Sequence, residues 1–359
     1  MRQIQDFRTK EKQTEFFCKA LTSDELAPDI LRALKGGETI ENIVEWLPSR
    51  QQDERNGYSP AASHQSNPGV SDQEDHQPRL SWTEVTRDTP ALDHLFRLYF
   101  SWVHPVSTLF GQNEFTEAFH RKRTDYCSSL LVNAMCALAC SFRSNYDSDG
   151  VDYDQLESKF TAAFRENFDP LDKSITTIQA VAIMFLVEMS KGSGRAALYL
   201  KMAVNSITEL SARDKLSTSG RVLRITAQGI RCLTVEWAQV THDCPASVST
   251  RSLEYLARSA DSEELIAQLD RTPWYLYTQE NVEPHSQESL IATVNREKMK
   301  LINIIDHVCA MMYGRGQSSI TAEDILQAYT RFEAWSENLP ECISGDERSH
   351  VLPHVISLL

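Results

Sequence analysis

The sequence predicts an all-α fold, organised as one large helical domain preceded by a short N-terminal helical segment and a disordered linker. Two stretches carry that prediction. In ALDHLFRLYFSWVHPVSTLF, Leu92, Leu95, Phe96, Tyr99 and Phe100 recur at helical spacing, with Asp93, His94 and Arg97 on the other side, until Pro105 removes a backbone donor and stops the turn. In SSLLVNAMCALACSFR, the run from Leu130 to Phe142 is apolar almost all the way round. In a chain with no lipid-length segment, such a run reads as a helix buried in a protein core. With 359 residues, 41% of them hydrophobic, the chain has enough apolar material to close that core.

Taken in order, residues 1–47 alternate apolar and charged positions helically. Ile4, Phe7, Phe16, Phe17, Leu21, Ile30, Leu31 and Leu34 precede a Gly36-Gly37 break, and Ile40, Ile43, Val44, Trp46 and Leu47 follow it. Two or three short helices are expected. From Pro48 to about Arg79 the residues are mainly Ser, Gln, Asn, Asp, Pro and His, with too little apolar area to offset the entropy of ordering. The linker is set at 48–88 and the main domain at 89–359. After an acidic turn, SNYDSDGVD, a helix is expected from about Tyr153 to Asn167 with Leu156, Phe160, Ala163 and Phe164 on one face. Thr176 to Met189 reads as a buried helix capped by Ser174 or Thr176 and ended by Gly192-Ser193-Gly194. A third, RAALYLKMAVNSITEL, has Leu198, Met202, Ile207 and Leu210 along it. Later helices are KLINIIDHVCAMMYG and TAEDILQAYTRFEAWSENLPE, the second opened by a Thr321-x-x-Asp324 capping box.

Charge and cysteine usage narrow the function. Thirty-six Lys plus Arg against 50 Asp plus Glu give a formal net charge of -14, which repels phosphate backbones; the chain alone is a poor DNA binder. The eight cysteines, Cys18, Cys127, Cys136, Cys140, Cys232, Cys244, Cys309 and Cys342, show no C-x-x-C pair and read as reduced, mostly buried thiols of an intracellular protein. The N-terminus has no signal-type apolar run. A soluble protein of the nucleus or cytoplasm is expected, with no membrane partner.

LDHLFRLYFSWVHPVSTLF followed by LLVNAMCALACSF resembles the opening of the regulatory domain of fungal zinc-cluster transcription factors, the fungal-specific transcription factor domain. The resemblance is closest where that family reads T-x-QA, E-M and then YL-x-MA: Gln179, Ala180, Glu188, Met189, Tyr199, Leu200, Met202 and Ala203 all fall in place. It departs at RITAQGIRCLTVEWAQVTHDCP. Many members carry R-x-T-F-W-G there, whereas Ala227-Gln228 replace the aromatic pair, Thr234 the following Asp, and Asp243-Cys244 precede Pro245. Either the core is repacked or the domain is weakened, since each lost aromatic removes roughly 1.5–3 kcal/mol of burial. PWYLY and VLPHVISLL resemble later family elements, and members run on beyond the latter; the chain looks C-terminally truncated and is expected to expose an apolar surface and associate.

The resemblance implies a transcription regulator acting at RNA polymerase II promoters from the nucleus, and not an enzyme. Its implied partners are DNA, reached only through a zinc cluster absent from this chain, related transcription factors as dimer partners, and a small-molecule effector. Zinc is expected only with that cluster, which needs six thiolates at fixed spacing. The rival reading is an all-α ligand-binding or enzymatic protein with a pocket among its apolar helices. A helical-repeat scaffold is disfavoured by the lack of any 34- to 45-residue period.

No residue is assigned a catalytic, cofactor-binding or metal role. Cys136 and Cys140 lie four apart on an apolar helix and read as core thiols. His350 and His354 are also four apart, but Pro353 between them argues against a regular helix. His120-Arg121-Lys122-Arg123, a candidate import signal or phosphate contact, reads as a solvated loop. Gly192-Ser193-Gly194-Arg195 precedes a helix as an anion site would, without the strand or lysine that would support one. Cys127, His242 and Asp243 form a triad only on paper.

Overall fold

The computed structural model describes residues 82–142, 151–213, 220–242, 262–275, 277, 286–314, 320–344 and 352–359. The chain divides after Arg79, and all of these residues belong to the second unit, Leu80–Leu359. The helices expected over 1–47 and the linker up to residue 81 lie outside them. Over 82–88 the chain is already packed. Buried Trp82 donates from Nε1 to Phe119 O at 3.0 Å, and Thr83 donates to Asn133 Oδ1 at 2.8 Å. Trp82 and Thr83 thus pack with the helices that follow although they precede the boundary set at 89: two side chains in an otherwise polar stretch have distant partners.

Helix α1 (Thr89–Leu98) is capped by Asp88, whose carboxylate accepts from Ala91 N, and has a proline in its first turn. It runs into a π-helical turn, Tyr99–Val103, closed by His104 N donating to Tyr99 O at 2.9 Å. Pro105 ends the helix as its missing donor requires, and the wide turn before it carries Tyr99, Val103 and His104 into the core. Helix α2 (Gln112–His120) buries Phe115 and Ala118, and α3 (Ser129–Ala139) is buried from Leu130 to Ala139. Helix α4 (Tyr153–Asn167) buries Phe160 and Phe164 behind an Asp152 cap. Helix α5 (Ile175–Ser190), capped by Ser174, packs against α3 and α6. Helix α6 (Arg195–Arg213) turns Ala196, Tyr199, Leu200, Ala203, Val204 and Ile207 inward; Leu198, Met202 and Leu210, expected on that face, are half-buried at its edge. Helix α7 (Gly220–Thr241) completes the main core.

A second layer follows. It comprises α8 (Glu263–Asp270), a two-stranded antiparallel ribbon of β1 (Pro273–Tyr275) and β2 (Ser286–Glu288), α9 (Ile291–Tyr313), α10 (Ala322–Glu337), α11 (Glu341–Ser344) and α12 (Pro353–Leu358). Trp274, Val294, Ile343, Leu352, Val355 and Leu358 form its own small core. Apolar and polar contacts tie it to the first layer; among them, Ile302 of α9 packs on Cys232 and Val235 of α7, and Trp274 Nε1 donates to Ser101 O at 3.1 Å. The Thr321/Asp324 capping box is formed as expected. Pro353 does not break a helix but starts one, since its fixed φ and absent N–H suit a first turn. Helix α10 buries none of its residues, and Ile325, Leu326 and Tyr329 lie exposed on it.

Glu188, one of the residues that carry the resemblance, is buried on α5 and paired with Arg165 of α4 at 2.8 Å; the Arg165 side chain is 36% exposed. Removing the arginine leaves a carboxylate in the core without its partner. Arg165→Met is expected to cost about 2 kcal/mol, less than a fully buried pair because water reaches the arginine. Urea unfolding checks this, and the double variant Arg165→Met/Glu188→Leu is expected to recover part of the loss.

Candidate functional site

The seam between the two layers holds a cavity of about 410 Å³. Its walls come from the loop after the π-turn, from α7, from the α8–β1 corner, from α9 and from the start of α12. Each wall is fixed by local chemistry. Asn295 Nδ2 donates to Thr108 Oγ1 at 3.2 Å and Thr108 Oγ1 to His104 O at 2.9 Å, so the loop is held to α9. Helix α7 crosses this loop at Gly229, where a Cβ would stand 2.4 Å from Thr108 O. Helix α9 begins at Leu290, a residue in left-handed backbone conformation (φ 53°) that supplies no cap. The cap comes instead from Asp270 at the end of α8, which accepts from Ala292 N at 2.8 Å, Thr293 N at 3.0 Å and Thr293 Oγ1 at 2.6 Å.

The lining is strongly cationic. Arg221, Arg231, Arg296, Lys298 and Lys300 face it against a single carboxylate, Glu114, in a chain whose formal net charge is -14. Arg231 is 2% exposed and donates from Nη2 to Asp306 Oδ2 at 3.1 Å. Lys298 is held by Glu236 at 2.7 Å and by Val106 O at 3.0 Å. Burial pulls the Lys298 ammonium toward neutrality, but the Glu236 carboxylate outweighs it and the pKa is raised. Arg221 pairs with Glu114, and Arg296 with Glu263 at 2.9 Å. Two buried histidines complete the wall. Burial pushes the His104 pKa down to about 3, helped by nearby His354. Burial likewise lowers His354 to about 4, against the opposing pull of the Ser289 carbonyl and of Asp270. Both are neutral imidazoles at physiological pH.

The described residues among the chemical candidates singled out in the sequence are packed or paired within the fold. Cys136 and Cys140 are both buried, and burial holds the Cys136 thiol well above its ordinary pKa. Cys127 is 0% exposed, and burial pushes its pKa up to about 12, so it offers no thiolate. His242 meets Tyr313 Oη at 3.0 Å at the end of α7, while Asp243 lies outside the described residues. Of the His350/His354 pair, His350 also lies outside them, and His354 is fixed by Ser289 O. Among the described residues no group of three or more His, Cys, Asp or Glu is placed to hold a metal ion. In the basic loop, Arg121 pairs with Glu117 at 2.8 Å, Arg123 pairs with Asp125, and Lys122 lies over the Trp82 and Phe119 rings. Gly192, at φ 65°, ends α5, and Ser193 Oγ accepts from Arg195 N at 3.2 Å, which makes this segment a connecting turn. The cavity, by contrast, was missed in the sequence. The one signal for it was the Ala227-Gln228 departure, since Ala227 is fully buried and Gln228 lines the cavity.

Residues 96–232, which run from α1 through most of α7, match the family model described as the fungal specific transcription factor domain. This span is similar to the fungal-specific transcription factor domain. Sequence similarity extends beyond the matched span. The nitrogen assimilation transcription factor nirA of Emericella nidulans is 24% identical over 282 residues, covering 72% of this chain and 31% of that protein. The nitrogen assimilation transcription factor nit-4 of Neurospora crassa is 26% identical over 309 residues, 79% of this chain and 27% of that one. The notoamide biosynthesis transcriptional activator notL' of Aspergillus versicolor is 25% identical over 299 residues, 78% and 46% respectively. The chain thus spans under half the length of each of these relatives. No solved structure matches it significantly. The cavity straddles the edge of the family match: its loop wall and most of its α7 wall lie within the matched span, and its α9 wall lies beyond residue 232.

Proposed function

We propose that this chain is the helical regulatory part of a zinc-cluster-type transcription factor acting at RNA polymerase II promoters in the nucleus, and that it has no catalytic role. The observation that carries this reading is the family match over residues 96–232, joined to three relatives that are all named as transcriptional regulators. The chemistry on the page agrees with it. At a net charge of -14 the chain is not itself a DNA-binding surface, and no described helix is long and apolar enough to cross a membrane. DNA contact on this reading is made by a separate zinc cluster, either of the same protein or of a related factor paired with it.

The test is a tethering assay. The 359-residue chain is fused to a DNA-binding module of known site and placed upstream of a reporter gene in a fungal host. A change in reporter output that depends on the module's site supports the reading. Output equal to that of the module alone, with the fusion protein present in the nucleus, sinks it. In a separate mobility-shift assay at physiological salt, the chain alone is expected to leave DNA unshifted.

A further inference from the structure

Four buried side-chain polar atoms without a hydrogen-bond partner belong to residues that line the cavity at the seam. They are the Nε atoms of Arg221 and Arg231 and the Nδ1 atoms of His104 and His354. Buried polar groups of folded proteins are nearly always satisfied, and a cluster of orphans around one space marks a missing ligand. Two of the four are guanidinium N–H donors, which have no acceptor capacity and therefore ask for an acceptor. The lining favours a negative one: five cationic side chains stand on it with one carboxylate, Glu114, while their other carboxylate partners, Glu236, Glu263, Glu297 and Asp306, lie outside the lining.

Size and shape set the rest. A volume of about 410 Å³ far exceeds an inorganic oxyanion, and Phe100, Phe110 and Trp274 line the same space as the arginines. The position of Gln228 accounts for the room. In the family to which the sequence bears its resemblance many members place a large aromatic there; here a half-buried glutamine lines the cavity.

We infer that the cavity binds a small organic carboxylate, its anionic head accepting from the Nε–H groups of Arg231 and Arg221 on α7, and its apolar body lying against Phe100, Phe110 and Trp274. Guanidinium suits this task because it keeps its charge when buried and its donors lie in one plane. The existing partners of Arg231 and Arg221, Asp306 and Glu114, each engage an Nη atom, so the ligand need displace neither; Arg296, whose Nη1 meets Glu263 and whose Nε lies 3.4 Å from Glu297 Oε1, adds charge and no free donor. The inference stands on the cavity and not on the transcriptional reading, and binding to the purified chain tests it independently of any reporter.

The experiment uses the full chain and a panel of aryl- and alkyl-substituted carboxylates, 3-phenylpropionate among them. Each is paired with its primary amide, sulfate and phosphate are included as inorganic anions, and binding is read by calorimetry. Members of the panel are expected to bind saturably, with their amides at least about tenfold weaker. Arg231→Met is expected to lower carboxylate affinity by a similar factor while leaving the amide unchanged. Gln228→Trp, which fills the cavity from α7, is expected to abolish binding while the protein still melts cooperatively. If Arg231→Met does not fold, the carboxylate–amide pairs and Gln228→Trp decide alone. The inference is overturned if no carboxylate binds at millimolar concentration, if acid and amide bind alike, if sulfate or phosphate binds as tightly, or if binding survives in a folded Gln228→Trp.

Discussion

Between pH 7 and pH 5 the domain is expected to lose about 4 kcal/mol of stability, most of it through two histidines. His104 and His354 are buried and neutral, with pKa values lowered to about 3 and about 4. In the unfolded chain both return to the ordinary histidine value of about 6.5. Below that value the unfolded chain binds protons that the folded chain refuses. Their contribution is thus complete above pH 6.5, drains as the pH falls, and ends near pH 4 for His354 and near pH 3 for His104. At pH 5 each accounts for about 2 kcal/mol, an amount fixed by the unfolded pKa because both folded values lie well below the working pH. The groups facing them do not reverse the sign. His104 sits among the Tyr99, Phe100 and Phe110 rings, and His354 meets the Ser289 carbonyl with Asp270 nearby. Urea midpoints at pH 7, 6 and 5 measure the slope, and a protein as stable at pH 5 as at pH 7 contradicts the assignment. Replacing both residues, as His104→Phe with His354→Gln, is expected to flatten the profile over this interval.

Gly229→Ala is expected to cost about 3 kcal/mol, although alanine is the better helix former by about 1 kcal/mol. The added methyl would lie 2.4 Å from Thr108 O and 2.9 Å from Leu109 Cδ2. The nearer atom is backbone, in a loop pinned through Thr108 to both His104 and Asn295, and cannot swing aside as a side chain would. Overlap therefore outweighs propensity. Gly220→Ala, at the start of the same helix with nothing within 4 Å of the added atom, supplies the control and is expected to be neutral or slightly stabilising. Equal effects at the two glycines, measured by thermal or urea unfolding, would contradict the close crossing of α7 over the loop.

The first layer was legible in the sequence because its signals are local. Tyr153–Asn167 announces itself by an acidic turn before it and by Leu156, Phe160, Ala163 and Phe164 at helical spacing, and α3 and α5 by unbroken apolar runs. The departure at Ala227-Gln228 was visible, and the structure answers it with repacking: Thr226 accepts from Gln179 Nε2 at 2.9 Å and donates to Leu109 O at 2.8 Å, with Ala227 fully buried beside it. The ribbon was not legible, since one of its strands is Ser286-Gln287-Glu288, which has no apolar alternation to read. Nor was the cavity. Its arginines stand on α7 and α9 and its histidines after the π-turn and on α12, and only the tertiary fold brings them to one space. Pro353 shows the limit of a residue-type rule: read as a breaker between two histidines, it is the first residue of a helix.

The borrowed cap on α9 has a kinetic consequence. A helix normally nucleates from its own first turn, but the first turn of α9 has locally only the long bond from Ile291 N to Ser289 Oγ and depends for its next two N–H groups on Asp270, twenty or so residues earlier, beyond the ribbon. Its N-terminal end can become firm only after α8 has docked and the intervening loop has closed. The wall that carries Arg296 and Lys298 is therefore only as firm as the docking of α8.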